Sequence, residues 1–179
     1  MNVRIYILCI LGVLMITSLA AAADGVPTQA FRDEHAEVKE HLDHLHQMVG
    51  SMASADAAAQ RKTAKFVAKF LTEHILEHAK WEEERLYPAV DKRTHAGAHP
   101  FTGTMRYERT IVGRWIEELG SMAAAEKLDA VAFARKADRL LGLIAAHFEE
   151  EEEVLLPILD KSTTRAELEK ELGLDKKKH

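Results

Sequence analysis

His78-Ala79-Lys80-Trp81-Glu82-Glu83-Glu84-Arg85-Leu86-Tyr87-Pro88 and His147-Phe148-Glu149-Glu150-Glu151-Glu152-Glu153-Val154-Leu155-Leu156-Pro157 are two copies of one phrase. In each, a histidine is followed four residues later by a glutamate and ten residues later by a proline. A helix turns in about 3.6 residues, so positions i and i+4 share a face, and each copy aims an imidazole and a carboxylate at one point. Such a pairing suits a transition metal.

The repeat extends outward from this phrase. Shifting the first helix by seventy-four residues matches Phe31 to Met105, Arg32 to Arg106, Glu34 to Glu108, Val38 to Val112, Leu42 to Ile116 and Leu45 to Leu119. Shifting the second by sixty-nine matches His78 to His147, Glu82 to Glu151, Leu86 to Leu155, Pro88 to Pro157, Asp91 to Asp160 and Lys92 to Lys161. Neither helix pair can bury its apolar stripe alone. The pattern therefore predicts an all-α fold, an antiparallel up-down four-helix bundle with a pseudo-twofold helix-pair repeat.

Apolar residues at three- and four-residue intervals set the elements. The first helix runs from Phe31 to Gly50 with Phe31, His35, Val38, Leu42 and Leu45 on its stripe, and Ser51 to Asp56 makes a turn. The second carries Phe66, Val67, Phe70, Leu71, Ile75 and His78 to about Tyr87, where Pro88 is expected to end or kink it. Asp91 to Gly103 reads as the longest loop. The third helix spans Met105 to Leu119 with Gly120 as its stop. The fourth spans about Leu128 to Leu156, with Leu140, Ile144, His147, Glu151 and Val154 on one stripe. A capping box at Thr164 and Glu167, with a stop at Gly173, predicts a short appended helix before a Lys-rich tail.

Three segments result. Residues 1–23 read as a signal peptide: Arg4, an apolar run from Ile5 to Leu19, then four alanines before Asp24. An uncleaved membrane anchor is the alternative, because the run extended through the alanines is long enough to span. Residues 24–160 form the bundle, and residues 161–179 the short helix and tail. Cleavage predicts a periplasmic or secreted protein with no membrane contact. Cys9 leaves with the leader, so the mature chain has no thiol to ligate a metal, attack a substrate or form a disulfide. With 24 basic against 29 acidic residues, the chain has no cationic excess for nucleic acid.

The bundle centre thus receives His35, His78, Glu82, His147 and Glu151. Burying such groups is costly unless a cation pairs with them, and imidazole plus carboxylate without thiolate suits iron, less selectively manganese or zinc. A lone histidine on the first helix, His-x-x-x-Glu on the second and fourth, and the Glu-Glu-x-x-Leu-x-Pro ending in both halves resemble the hemerythrin-like, or HHE cation-binding, family. The resemblance covers the chain up to about Asp160. It implies a non-haem di-iron site bridged by two carboxylates, with room for dioxygen or another small ligand.

The third helix departs from that pattern. Arg109 stands in the repeat position of His35, and a guanidinium does not ligate. Two readings follow: Glu108 is a third carboxylate ligand, or Glu108 pairs with Arg109 or Arg106 and one ligand is lost, which leaves one iron open or the site mononuclear.

The remaining candidates have blander readings. His41 and His44 fall off the stripe and read as solvated, as do most of Glu82 to Glu84 and Glu149 to Glu153; only Glu82 and Glu151 have the right phase. His74, one turn before His78, reads as a hydrogen-bonded core histidine in preference to an extra ligand. His95 and His99 belong to the long loop, and Trp81, Trp115, Tyr87 and Tyr107 read as packing residues. The expected function is an exported iron protein, with two iron ions, that binds or senses dioxygen, nitric oxide or peroxide. A peroxidase- or ferroxidase-like oxidoreductase is the second reading, and a metal-free or zinc-bound interaction bundle the third.

Overall fold

The structure, a computed structural model, describes residues 25–94 and 100–174. The expected leader at residues 1–23 with Cys9, the loop histidines His95 and His99, and the Lys-rich tail from residue 175 lie outside the described residues.

All regular structure among the described residues is helical. Helix α1 is Gln29–Gly50, followed by a 3-10 turn at Met52–Ser54. Helix α2 occupies residues 57–94, α3 is Gly103–Ala124, α4 occupies residues 130–160, and α5 is Arg165–Leu172. Local signals set the starts. Asp56 and Asp129 extend outside their helices and accept from the backbone N–H of Ala59 and Ala132, each at 2.9 Å, which satisfies donors the first turn leaves free. Thr164 and Glu167 form the reciprocal box expected for α5, and Gly173 ends it in the left-handed region at φ 71°.

Two helices are not uniform. Within α2, wide turns at Leu71–Ile75 and Glu82–Leu86 interrupt the α pattern, and α4 has one at Glu151–Leu155. Each closes through a hydrogen bond to the fifth residue back: Leu76 to Leu71, Tyr87 to Glu82, and Leu156 to Glu151. The last two begin on the repeated glutamates, and Pro88 and Pro157 each follow one residue after that closing donor. Proline lacks an N–H and clashes with the carbonyl four residues back in a regular helix, and a widened turn relieves both faults. Hence α2 continues through Pro88 to Thr94 instead of ending there, and Asp91 to Thr94 are helix, not loop. Tyr87, Ala89 and Val90 are buried on that extension.

Other boundaries and phases shift as well. Helix α3 runs past Gly120, because a glycine inside a helix costs only about 1 kcal/mol and Ala123, one turn on, is buried in the core. Val154 is 42% exposed while Leu155 is buried: a turn closed five residues back keeps i+4 on the inner face and swings i+3 outward. Phe66 is exposed too, since the buried stripe of α2 runs through Ala64, Val67, Leu71 and Ile75.

Helix α4 packs on α1 and α3, and α2 packs on α3 and α1. The apolar core is in two parts. The larger includes Leu42, Leu45, Leu71, Ile116, Phe133, Leu140 and Phe148; the smaller includes Phe31, Leu86, Met105, Leu155 and Leu159, and α5 adds Leu168 and Leu172 to it. Along each long helix, the candidate site residues fall between these two parts.

The repeat also fixes the helix starts. Thr28 donates through its N–H and hydroxyl to Asp160 at 3.0 and 2.7 Å, and Arg32 pairs with the same carboxylate at 3.1 Å. Thr102 donates through the same two groups to Asp91, both at 2.9 Å, with Arg106 at 3.3 Å. Each clasp ties the entry to one helix to the far end of another. Among the described residues, no helix is long and apolar enough to cross a membrane.

Candidate metal centre

Four side chains meet in the polar layer: His35 from α1, His78 and Glu82 from α2, and Glu151 from α4. One ligand atom from each lies within 4.8 Å of the others. His35, Glu82 and Glu151 are at most 1% exposed. His78 Nε2 approaches Glu82 Oε1 at 2.7 Å, and His35 Nε2 lies 3.7 Å from Glu82 Oε1 and 3.6 Å from Glu151 Oε2. None of these four atoms has a hydrogen-bond partner.

The far side of each ring explains why. His35 Nδ1 lies 3.2 Å from Glu152 Oε1, and His78 Nδ1 lies 2.9 Å from Glu34 Oε1. A carboxylate only accepts, so each Nδ1 carries the proton and, in the neutral ring, each Nε2 is left with a lone pair. Burial first, and then His78, push the His35 pKa down to about 4 against the pull of Glu152 and Glu34, which keeps that ring neutral at physiological pH. Bare nitrogen lone pairs facing carboxylate oxygens in a buried layer repel unless a cation lies among them. Burial likewise raises the Glu151 pKa, while hydrogen bonding from Tyr87 and the charge of Arg109 oppose the rise. A divalent cation fits this donor set: two imidazole nitrogens and two carboxylate oxygens, each ring oriented by an outer carboxylate.

Around the other oxygens the arrangement differs. Arg109 Nη2 forms an ion pair with Glu82 Oε2 and lies 3.8 Å from Glu151 Oε1. The Tyr87 hydroxyl donates to Glu151 Oε1 at 2.7 Å, lies 3.1 Å from His147 Nε2, and accepts from Arg109 Nε at 2.8 Å. The guanidinium also sits over the Tyr87 ring, 4.6 Å from its centroid. Burial pushes the Arg109 pKa down to about 10, so it remains cationic at neutral pH, and burial together with Glu151 raises the Tyr87 phenol far above its ordinary value.

A small cavity of about 20 Å³ opens beside the centre. It is lined by His78, Glu82, Arg109 and His147 and walled by Ile75, Ala79, Val112, Ile144 and Phe148. That volume takes one molecule of about the size of water.

A family model described as the hemerythrin HHE cation binding domain matches residues 26–159. The chain belongs to the hemerythrin HHE family. No curated protein and no solved structure matches it significantly. The His/Glu group, which could hold a metal ion, is built on the repeated phrase of α2 and α4 and the lone histidine of α1.

Four residues stand elsewhere than the sequence suggests. His147 stands outside the four-residue group: its Nε2 faces Tyr87 and, at 3.5 Å, Glu151 Oε1. Glu108 neither points at the centre nor pairs with Arg109 or Arg106. It accepts from His147 Nδ1 at 3.0 Å, as its repeat equivalent Glu34 does from His78. His74 is exposed and packs its ring on Phe70, so it is no core group, and Tyr107 is 66% exposed.

Three participants went unread in the sequence: Glu34, Glu152 and Tyr87. Glu152 reads in sequence as one of a run of surface acids, yet it meets both His35 and Lys39. Tyr87 has a signal in the repeat, where its equivalent is Leu156: the two positions that break the repeat, Tyr87 and Arg109, touch each other.

Proposed function

We propose that this HHE domain is an exported iron-binding protein that takes up a small diatomic ligand or peroxide beside its metal, acting by binding or sensing and not by turnover. The observation that carries this reading is the convergence of the bare Nε2 atoms of His35 and His78 on Glu82 Oε1 and Glu151 Oε2. Iron is favoured because the donors are nitrogen and oxygen with no thiolate in the mature chain. The ligands come from α1, α2 and α4, which supports an antiparallel up-down arrangement of the four long helices around the centre, and a site that exists only once they have packed. Cleavage after Ala23 would release the protein to the periplasm or beyond, as the composition of the leader supports.

When bound, iron would supply an electron-rich centre for a small ligand. The chain's own residues do the rest. Glu34 and Glu152 hold the two imidazoles in the ligating tautomer. The wall of Ile75, Val112, Ile144 and Phe148 limits the cavity to a small molecule. Arg109 lines the same cavity with a buried Nη1 that has no partner, a hydrogen-bond donor for a ligand that gains negative charge.

The test is to load the mature protein with ferrous iron under anaerobic conditions, measure iron per chain, and then admit dioxygen or nitric oxide. A reversible, ligand-dependent absorption band is expected, lost in His35→Ala and His78→Ala. Tight iron below one per chain, unchanged by those substitutions, would sink the reading. Irreversible oxidation with sustained peroxide consumption would replace it with an oxidoreductase.

A further inference from the structure

We infer that the centre holds one metal ion, and that the Arg109 guanidinium, braced by Tyr87, takes the place of the second cation that the repeat would otherwise provide for. This rests on the metal-binding reading above and assigns its nuclearity.

The two buried carboxylates divide their oxygens cleanly. Glu82 Oε1 and Glu151 Oε2 face His35 and His78 and have no hydrogen-bond partner. Glu82 Oε2 faces Arg109, and Glu151 Oε1 is bonded to Tyr87 with Arg109 behind it. The seventy-four- and sixty-nine-residue shifts map His35 to Arg109 and His78 to His147, so the repeat generates a second half-site made of position 109, His147 and these same other oxygens. Both carboxylate oxygens of that half-site are engaged, Glu82 Oε2 by Arg109 and Glu151 Oε1 by Tyr87. His147 Nε2 is the one imidazole nitrogen left to that half-site, 3.1 Å from the Tyr87 oxygen, and a guanidinium stands where the second imidazole would ligate.

Charge leads to the same conclusion. Arg109 is 10% exposed in its side chain and lies against both carboxylates, so a divalent ion in the second half-site would meet a buried positive charge at close range. One divalent ion already matches the two carboxylate charges and the guanidinium adds a third positive charge, so a second divalent ion would only enlarge the excess. The sequence pattern favoured two ions; the residues present fit one.

Metal content separates the possibilities. Wild-type protein, Arg109→His and Arg109→Lys are loaded anaerobically with ferrous iron, and in parallel with zinc as a redox-silent probe, then desalted and analysed for metal per chain, with circular dichroism as the check on folding. Wild type and Arg109→Lys are expected to hold one ion, and folded Arg109→His to approach two, because it restores the repeat equivalent of His35. Two tightly bound ions in wild type would overturn the inference whether or not the variants fold, and so would folded Arg109→His that stays at one. Loss of tight binding from every form would instead remove the metal-binding reading, and the inference with it.

Discussion

Arg109 and Glu82 form a buried ion pair through Nη2 and Oε2, at the place where the repeat calls for an imidazole facing a carboxylate. The pair neutralises one oxygen of Glu82 and leaves the other to His78. In the metal-free protein, Arg109→Met strands the Glu82 charge and should cost about 3–5 kcal/mol, measured by urea unfolding at pH 7. Bound zinc should recover part of that loss. A cost within error of zero would mean that the pair does not form in solution.

The outer carboxylates should differ in weight although the repeat makes them equivalent. Glu34→Gln loosens the tautomer of His78, which is in the four-residue group, and should weaken zinc affinity by about 10- to 100-fold in chelator competition. Glu108→Gln acts on His147, which faces Tyr87, and should leave affinity unchanged. Equal losses in both variants would place His147 among the ligands.

Much of this was legible in the sequence, for definite reasons. The doubled His-x-x-x-Glu brings His78, Glu82 and Glu151 together because i and i+4 share a helix face, while His147, on the same face, turns to Tyr87. Val154 was misplaced for the same physics, since i+3 does not survive the wide turn at Glu151–Leu155. Pro88 is ambiguous in sequence, because only the turn preceding it decides whether a helix can continue. Glu34 and Glu152 were missed because a carboxylate bonded to the back of a ring leaves no spacing signature; it lies 44 residues from its histidine in one case and 117 in the other. The roles of Tyr87 and Arg109 depend on their mutual contact, and only their shared departure from the repeat marks them beforehand.

The two aspartate clasps should behave alike. Asp160→Ala and Asp91→Ala each remove a carboxylate that accepts from a threonine N–H and hydroxyl and pairs with an arginine, and each should cost about 1.5–3 kcal/mol in chemical denaturation. The metal content of the folded variants should not change. A cost confined to one of them would show that the clasps are not equivalent despite their matched partners.

Helix α5 should detach in acid. Hydrogen bonding from Arg93, supported by Lys92, holds the Glu171 carboxyl below its ordinary value. A carboxylate depressed in the folded state stabilises above its unfolded pKa of about 4.5 and loses that contribution as pH falls through its folded value. Hydrogen exchange over Arg165–Leu172 should therefore accelerate as pH drops below about 4.5, relative to the intrinsic rate. Glu171→Gln should reproduce part of the loss at pH 7; protection unchanged by both would leave Leu168 and Leu172 as the sole attachment.

X-ray absorption of the iron-loaded wild-type protein tests the single-metal centre most directly. One ion held by His35, His78, Glu82 and Glu151 should give a shell of nitrogen and oxygen with imidazole scattering and no metal neighbour. A metal–metal vector at about 3.5–4 Å, the separation of two-metal sites, would contradict it.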